Sequence, residues 1–427
     1  MSHIFRNFAT RFLIREINRM TISDYNIFTL PNGMRVVHRQ TDSHVGYSGV
    51  VIRAGSRDEG SGLHGLAHFV EHTIFKGTAH RSSWHINNRL ESIGGELNAY
   101  TTKEETLLFA NTPAGNTERA FELLYDLIAY CNFPHAEIER ERDVVIEEIN
   151  SYLDNPGDSA FDEFEDRIYA GSGLGHNILG TPESVRMLNS EDCRAFIDRL
   201  YRPEDMVLYC ADPATPSKVE KLAFKHFGRL RHPGSGTERT PVPPAETFLE
   251  TIDRNGHQAH TLIGTRLFGR EDPRSHALFL LNNHIGGPGM SSLLNQELRE
   301  KRGYVYTVES NVALMSDCGV WTAYFGSDHK TVDKCIRIAA AEIARLADSN
   351  LSEAKIERIK RQYIGQMQVA SDHRESMAMS MGKSLAYFNE IHDIDWITER
   401  IRAVSASDLR SIAEMIHPSS WSRLTIC

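Results

Sequence analysis

The sequence predicts an α/β (α+β) fold of two duplicated domains, each a mostly antiparallel sheet packed with helices, with a linker between them. At 427 residues the chain is longer than one hydrophobic core normally supports. Strand patterns and helix patterns alternate along it, and one proline-rich stretch divides it near the middle. The two halves also end in similar segments, which favours gene duplication.

The first half interleaves strands and helices. Residues 27–38, interrupted by Pro-Asn-Gly at 31–33, have the pattern of a β-hairpin. Further predicted strands lie at 45–52, 95–100 and 106–110, and predicted helices at 62–75, 117–130 and 135–153. This alternation places strands and helices within one folded unit.

A linker is predicted at 229–247, where four prolines and two glycines occur without apolar periodicity. It separates a first domain, residues 25–228, from a second, homologous domain, residues 248–427. Residues 1–24 form an N-terminal extension in this division.

The repeat is clearest at the ends of the two halves. In each, a serine-containing cap with an aspartate, Asp192 or Asp408, precedes an amphipathic helix. A proline, Pro203 or Pro418, then precedes a β-rich run that ends in cysteine. Together with the central linker, this match supports two domains of common origin.

Composition excludes several classes of function. Apolar content of 41% with 24% charged residues is typical of a soluble globular protein. A net charge of −10 argues against a nucleic-acid surface and against an anionic membrane patch. No apolar run approaches the roughly 20 residues of a membrane helix. The six cysteines are scattered, which favours a reducing compartment over a disulfide framework.

The first twenty residues allow two interpretations. Four arginines recur at roughly helical spacing among apolar residues, with Glu16 the only acid, as in organellar transit peptides. The alternative is a ragged N-terminus, with the folded part opening at Met20. We expect the second, and hence a cytoplasmic protein of bacterial type, with the mitochondrial matrix as the other option.

The chemical motif is His68-Phe69-Val70-Glu71-His72 on the predicted 62–75 helix. Residues four apart lie above one another on a helix face, so both imidazoles can reach one metal ion. Glu71 borders that face and can take a proton from a metal-activated water without being a ligand. This is the inverted H-x-x-E-H order of zinc peptidases, and the acidic segment 139–156 offers a third ligand.

The stretches HGLAHFVEH and ERDVVIEEI closely resemble the inverzincin metallopeptidases of the pitrilysin and mitochondrial-processing-peptidase superfamily, most like its short bacterial members. The resemblance extends from about residue 25 to the end of the chain. It implies that residues 25–228 are the catalytic zinc-binding domain. Its third-ligand spacing falls on Glu148, with Glu147 as the competing position, and Glu141 matches a glutamate that supports activity without binding metal.

Two more stretches match the family. The segment containing Asn98, Ala99 and Tyr100 resembles the edge strand that pairs with the substrate backbone. An ordinary core strand is the alternative for it. In the second half, Arg302 and Tyr306 match an arginine–tyrosine pair that holds the substrate carbonyl and stabilises developing oxyanion charge.

Three other features of the sequence are not expected to form a further metal or nucleotide site. His64, His68 and His72 form a ladder about 12 Å long, too long for one tetrahedral ion, so His64 is expected at the helix start or behind the ligands. The GGPGMSSLL segment lacks the GKS/T ending of a phosphate loop. The second half carries His284 in place of the motif, which predicts one Zn²⁺ per chain.

The resulting hypothesis is a zinc-dependent endopeptidase or oligopeptidase with Glu71 as general base. Its partners are peptides or unfolded polypeptides, with no nucleic acid and no membrane. The alternatives are a catalytically inactive assembly subunit of the same family and zinc hydrolysis of a non-peptide substrate. Symmetry and the family's enclosed substrate chamber predict a homodimer, with Arg302 and Tyr306 acting either in cis or in trans.

Overall fold

A computed structural model describes residues 20–22, 24–232, 234–236, 239–244, 246–348 and 351–427. The arginine-rich segment that allowed a targeting interpretation lies outside these residues. The chain forms two compact units. Of the described residues, the first unit comprises those up to Ile149 with Ile178–Arg239 and His373–His392, and the second comprises those in Asn150–Asn177, Thr240–Asp372 and Asp393–Cys427. Within the described residues no helix has the length and apolar character needed to cross a bilayer.

The first unit combines a sheet with helices, numbered here along the chain. Its strands are β1 (Met20–Ile22), β2 (Tyr25–Thr29), β3 (Arg35–Gln40), β4 (Val45–Ile52), β5 (Glu96–Thr101), β6 (Thr106–Pro113) and β7 (Met206–Asp212). Its helices are α1 (Leu66–Ile74), α2 (Ser83–Glu91), α3 (Thr117–Tyr130), most of α4 (His135–Leu153), α6 (Pro182–Met187), α7 (Ser190–Leu200), α8 (Pro216–Phe227) and α12 (Arg374–Phe388).

The described strands of this unit form one sheet in the order β1-β2-β3-β7-β4-β6-β5. All neighbouring pairs are antiparallel except β3 and β7. The predicted hairpin at 27–38 is β2 and β3, which turn at Gly33 with φ of 90°. Among the described strands, β5 pairs only with β6, so it lies at an edge of the sheet.

Both faces of this sheet are covered. Side chains of successive strand residues point to opposite faces, and Val50 and Val51 accordingly belong to different hydrophobic clusters. The Val50 cluster includes residues of α1, α3, α4, α7 and α8. The Val51 cluster is completed by apolar residues of α12, including Met381 and Leu385. Helix α12 therefore covers the face of the sheet opposite to the one covered by α1, α3, α4, α7 and α8.

The second unit repeats this plan. Its strands are β8 (Leu249–Ile252), β9 (Ala259–Leu267), β10 (Val305–Leu314), β11 (Gly319–Ser327) and β12 (Ser422–Ile426). They form a sheet in the order β10-β11-β9-β12-β8, in which only the β8–β12 pair of these described strands is parallel. The helices are α5 (Pro156–Ile168), α9 (Ser275–Gly286), the π-helix Asn295–Glu300, α10 (Val332–Asp348), α11 (Glu353–Ser371), α13 (Ile394–Ala403) and α14 (Ala406–Met415).

Here, too, neighbouring strand residues divide between two hydrophobic clusters. Trp321 packs with residues of α9, α10, α11, α13 and α14. Val320 packs on the opposite side with Ala160 and Phe164 of α5. Two duplicated units, each with a mostly antiparallel sheet between helices, confirm the predicted fold class.

The compact units differ from the predicted continuous domains in two segments. Residues 150–177, placed in the first domain from sequence, pack in the second unit, and residues 373–392 pack in the first. The physical reason is that each sheet has two apolar faces to cover. Helices α5 and α12 cover the second face of a sheet from the other half of the chain.

The structure reproduces the sequence repeat in local detail. The side chains of Asn189 and Ser405 each accept a hydrogen bond from the backbone N–H three residues on, and Asp192 and Asp408 each accept one from the N–H of the cap residue. In both places the helix is followed by a proline-led 3₁₀ turn and then by a strand with a neighbour on each side. The duplication predicted from these two segments is therefore visible in their structure.

Candidate metal centre

Helix α1 carries the motif and is held by its apolar face. Leu66, Ala67, Phe69, Val70 and Ile74 are each at most 2% exposed and belong to the core of the first unit. The helix begins at Leu66 rather than at residue 62, which corrects the predicted start. Gly62 and Gly65 have φ angles of 82° and 92°, which a right-handed helix cannot include.

Three predicted ligands meet at this helix. The His72 Nε2 atom lies 3.3 Å from Glu148 Oε2, and the His68 Nε2 atom lies 3.8 Å from the same oxygen. One donor atom from each of the three residues lies within 4.8 Å of the other two. Bonds to zinc of about 2.0–2.2 Å separate tetrahedral ligand atoms by about 3.3–3.6 Å. Two imidazoles and one carboxylate at these distances fit a zinc ion.

Helix α4 brings its carboxylates to the motif. Its buried residues, Ile138, Glu141, Val145 and Ile149, recur at helical spacing and fix which side faces the unit. Glu141 and Glu148 are two turns apart on that side, and both contact His72. Glu148, and not Glu147, contributes a carboxylate to the potential metal-binding group.

Glu141 holds one side of the His72 ring. Its Oε1 atom lies 3.0 Å from His72 Nδ1, and its Oε2 atom accepts a 2.7 Å bond from Lys76. The ring therefore has Nδ1 on Glu141 and Nε2 toward Glu148. A carboxylate behind a histidine ligand sets its orientation and raises its basicity.

The two histidines differ in electrostatic environment. Burial, aided by the neighbouring His72, lowers the pKa of His68 to about 3. Burial also acts to lower the pKa of His72, but the hydrogen bond to Glu141 and the charge of Glu148 outweigh it and raise that pKa. His68 is thus held neutral, the form that binds a metal.

Glu71 lies beside the group and points to the end of the edge strand. Burial raises its pKa, while the adjacent Thr101 acts in the opposite direction. A carboxylate with a raised pKa is a better proton acceptor near neutral pH than a fully solvated one. Thr101, at the last position of β5, belongs to the stretch that resembles the edge strand, but its contact with Glu71 could not be predicted because it joins two distant segments.

The predicted substrate strand lies at the sheet edge next to α1. Asn98 is exposed on β5, and its side-chain oxygen accepts the N–H of Ala99 at 2.8 Å. Tyr100 is partly buried, with the Lys383 ammonium 5.0 Å from its ring centroid. An edge strand keeps backbone groups available for an added strand.

Arg302 and Tyr306 lie in the second unit. The Arg302 Nη1 atom donates to Glu297 Oε2 at 2.7 Å and to the Glu297 carbonyl at 2.6 Å. The Tyr306 hydroxyl donates to Asp328 Oδ1 at 3.0 Å, and this bond raises the Tyr306 pKa. Both side chains are exposed, with Tyr306 54% accessible.

The two other histidines considered from the sequence, His64 and His284, lie outside the ligand group. His64 precedes α1, and its carbonyl accepts the Ser184 hydroxyl at 2.7 Å. This agrees with the expected place at the helix start. His284 lies on α9 of the second unit, where burial lowers its pKa to about 4.

Comparison with known families places this geometry in context. The family described as insulinase (peptidase family M16) matches residues 35–182, which contain the motif and Glu148. The family described as the peptidase M16 inactive domain matches residues 188–363. The first match covers the residues of the potential metal site and the second covers Arg302 and Tyr306.

Curated relatives align along most of the chain. An uncharacterized zinc protease of Streptomyces coelicolor is 32% identical over 397 residues, which cover 90% of this chain and 85% of the relative. One from Bacillus subtilis is 29% identical and covers 92% of this chain and 96% of its own.

Solved structures share the fold. A peptidase M16 inactive domain from Pseudomonas fluorescens superposes with a TM-score of 0.88 at 16% identity, over 94% of this chain and 97% of its own. A protease from Helicobacter pylori gives a TM-score of 0.84 at 21% identity, over 95% of this chain and all of its own.

Proposed function

Because the chain belongs to peptidase family M16, we propose that it is a zinc-dependent endopeptidase or oligopeptidase that holds one zinc ion. The observation that carries the proposal is the convergence of His68, His72 and Glu148, with donor atoms within 4.8 Å of one another. Glu71 stands beside these residues in a position suited to proton transfer. Relatives named as zinc proteases support the same chemistry.

In this proposal the side chains of the site have separate roles in catalysis. Zinc, when bound, acts as a Lewis acid and makes water a stronger nucleophile near neutral pH. Glu71 accepts the proton of the attacking water and returns it to the amine of the leaving fragment. Glu141 keeps the His72 ring in place through Nδ1. Arg302 and Tyr306 are proposed to stabilise the negative charge that develops on the substrate carbonyl oxygen.

The proposed substrate is an extended peptide. Strand β5 has one edge to which no other described strand pairs, and it ends at Thr101 beside Glu71. A peptide added to that edge gains main-chain hydrogen bonds with little dependence on sequence. Asn98, Ala99 and Tyr100 would line its path, which favours unfolded polypeptides over folded proteins.

Metal analysis combined with a quenched-fluorescence peptide library tests the function. We expect about one zinc per chain, cleavage of internal peptide bonds, and loss of cleavage on chelation with recovery when zinc is returned. Zinc binding without cleavage of any peptide would favour an assembly subunit. Hydrolysis of esters or other non-peptide bonds alone would move the chain to another reaction class.

The identity of the third ligand has its own test. Glu148→Gln is expected to weaken zinc binding strongly, because an amide oxygen replaces the anionic ligand atom. Glu147→Gln is the matched control, one residue away on the exposed side of α4. Zinc dissociation constants from chelator competition decide between them. A stronger effect at Glu147 would mean that the helix is rotated by about 100° from the observed register.

Glu141→Gln tests the support behind His72. The expected result is a zinc affinity lower by about 10–100-fold, since the amide oxygen can still accept from the ring but carries no charge. Glu137→Gln is a control on the same helix, where Glu137 pairs with Arg140 at the surface. Equal zinc affinity in wild type and Glu141→Gln would show that Glu141 contributes to packing and not to zinc binding.

We propose that the chain is a cytoplasmic protein of bacterial type and that it forms a homodimer. The argument is symmetry, since a two-fold dimer is the default assembly and family relatives enclose their substrate between four such domains. Sedimentation at working concentration is expected to give twice the chain mass. A monomer throughout the active concentration range would contradict the dimer and would require Arg302 and Tyr306 to act within one chain.

A further inference from the structure

We propose that Glu59 is a positioning residue for the metal site, holding the first turn of α1 so that His68 stays in place. The inference rests on the proposed function, because His68 matters here as a zinc ligand. Glu59 lies outside the H-x-x-E-H motif, and neither the spacing of the histidines nor the linker pattern singles it out. Its role follows from two hydrogen bonds made in the folded unit.

Helix α1 has no cap of its own. Its N-cap residue is Gly65, which has no side chain that could accept hydrogen bonds from the unpaired N–H groups of the first turn. Glu59 fills this role with both carboxylate oxygens. Oε2 accepts the Gly65 N–H at 2.9 Å, and Oε1 accepts the Ala67 N–H at 2.7 Å. Burial raises the pKa of Glu59 to about 8, and the hydrogen bonds from the Ala67 and Gly65 amides act in the opposite direction.

The segment that carries Glu59 is itself fixed. It follows the 3₁₀ turn Ser56–Asp58, whose residues are buried. Arg57 forms a 2.6 Å ion pair with Glu104, and Asp58 accepts two 2.8 Å bonds from Arg239. Glu59 therefore ties α1 to a buried, ion-paired part of the first unit rather than to a mobile loop.

The first turn matters more for His68 than for His72. The His72 ring is oriented by Glu141 through Nδ1. The Nδ1 atom of His68 is buried and has no hydrogen-bond partner in the described structure. Metal-binding histidines usually have such a partner. The His68 ring is thus placed by packing and by the helix backbone, and His68 follows the amide of Ala67 that Glu59 binds.

The test compares Glu59→Ala and Glu59→Gln with a matched loss of a helix cap elsewhere. Ser405→Ala is the control, because Ser405 caps α14 in the second unit. Zinc dissociation constants are measured by chelator competition, and the Co²⁺-substituted protein gives a visible spectrum that reports ligand geometry. Thermal melting of each zinc-free variant records the general loss of stability.

We expect Glu59→Ala to bind zinc about tenfold more weakly and to change the Co²⁺ spectrum. Glu59→Gln, which can still accept one of the two amides, is expected to lie between wild type and Glu59→Ala. Ser405→Ala is expected to lower the melting temperature and leave zinc affinity and spectrum as in wild type.

Other outcomes overturn the inference. Wild-type zinc affinity with an unchanged Co²⁺ spectrum in a folded Glu59→Ala would leave Glu59 as an ordinary helix cap. If Glu59→Ala does not fold, wild-type zinc affinity in Glu59→Gln counts against the proposal in the same way. Wild-type protein that binds zinc but cleaves no peptide would refute the proposed function alone. A wild-type chain that binds no zinc would refute both.

Discussion

Glu71→Gln is expected to reduce kcat by at least about 10²–10⁴-fold while the protein keeps its zinc. Glutamine has nearly the same shape as glutamate but cannot accept a proton from water. Zinc content is expected to stay unchanged because the potential ligand group consists of His68, His72 and Glu148, without Glu71. Peptide hydrolysis and metal analysis on the same preparation measure both quantities.

The control for this experiment is Glu147→Gln, which makes the same chemical change at an exposed position of α4. It is expected to keep both turnover and zinc. Loss of zinc from Glu71→Gln would make Glu71 a ligand, contrary to the geometry. Full peptidase activity in Glu71→Gln would require a different general base.

Arg302→Ala combined with Tyr306→Phe is expected to lower kcat/KM by about 10²–10³-fold. Each change removes a donor proposed to stabilise charge on the substrate carbonyl oxygen. Zinc affinity is expected to remain that of wild type, because both residues lie in the second unit and the three ligands in the first. Steady-state kinetics with one peptide, together with zinc titration, provide the measurement.

Lys301→Ala is a suitable control for the arginine change. Lys301 and Arg302 both pair with Glu297, so either substitution removes a surface ion pair from that carboxylate. Only the Arg302 substitution is expected to affect turnover. Unchanged kinetics in the double variant would assign Arg302 and Tyr306 to local packing with Glu297 and Asp328.

Local elements were predicted well where the pattern depends on neighbouring residues. Strand β4 at 45–52 and helices at 117–130 and 135–153 match the observed Val45–Ile52, Thr117–Tyr130 and His135–Leu153. The start of α1 was predicted four residues too early. The positive φ angles of Gly62 and Gly65 lie outside the right-handed helical region, so the helix cannot begin before Leu66.

The residues of the candidate site likewise include some that the sequence predicts and others that only the structure identifies. Sequence alone placed His68, Glu71 and His72 together, because residues three and four apart share a helix face. The family resemblance placed the third ligand on Glu148, with Glu147 as the competing position, since the distance of either residue from α1 is not a local property of the sequence. Packing of α4 in the first unit brings Glu148 within 3.3 Å of His72. Glu59 carried no sequence signal, and Thr101 was predicted only as part of the edge strand, because the contacts that each makes are with a distant segment.

The sequence by itself determined the two α/β halves, the repeat that relates them and the helix that carries two potential ligands. Periodicity, capping residues and short spacings act within a few turns, so they can be recognised without knowing the fold. Only the tertiary structure decided that α5 packs on the second sheet and α12 on the first. The apolar face of an amphipathic helix has to be buried, but the helix sequence does not specify which sheet that face packs against. That choice depends on contacts between segments far apart in the chain, and it also sets which carboxylates reach the metal-binding helix.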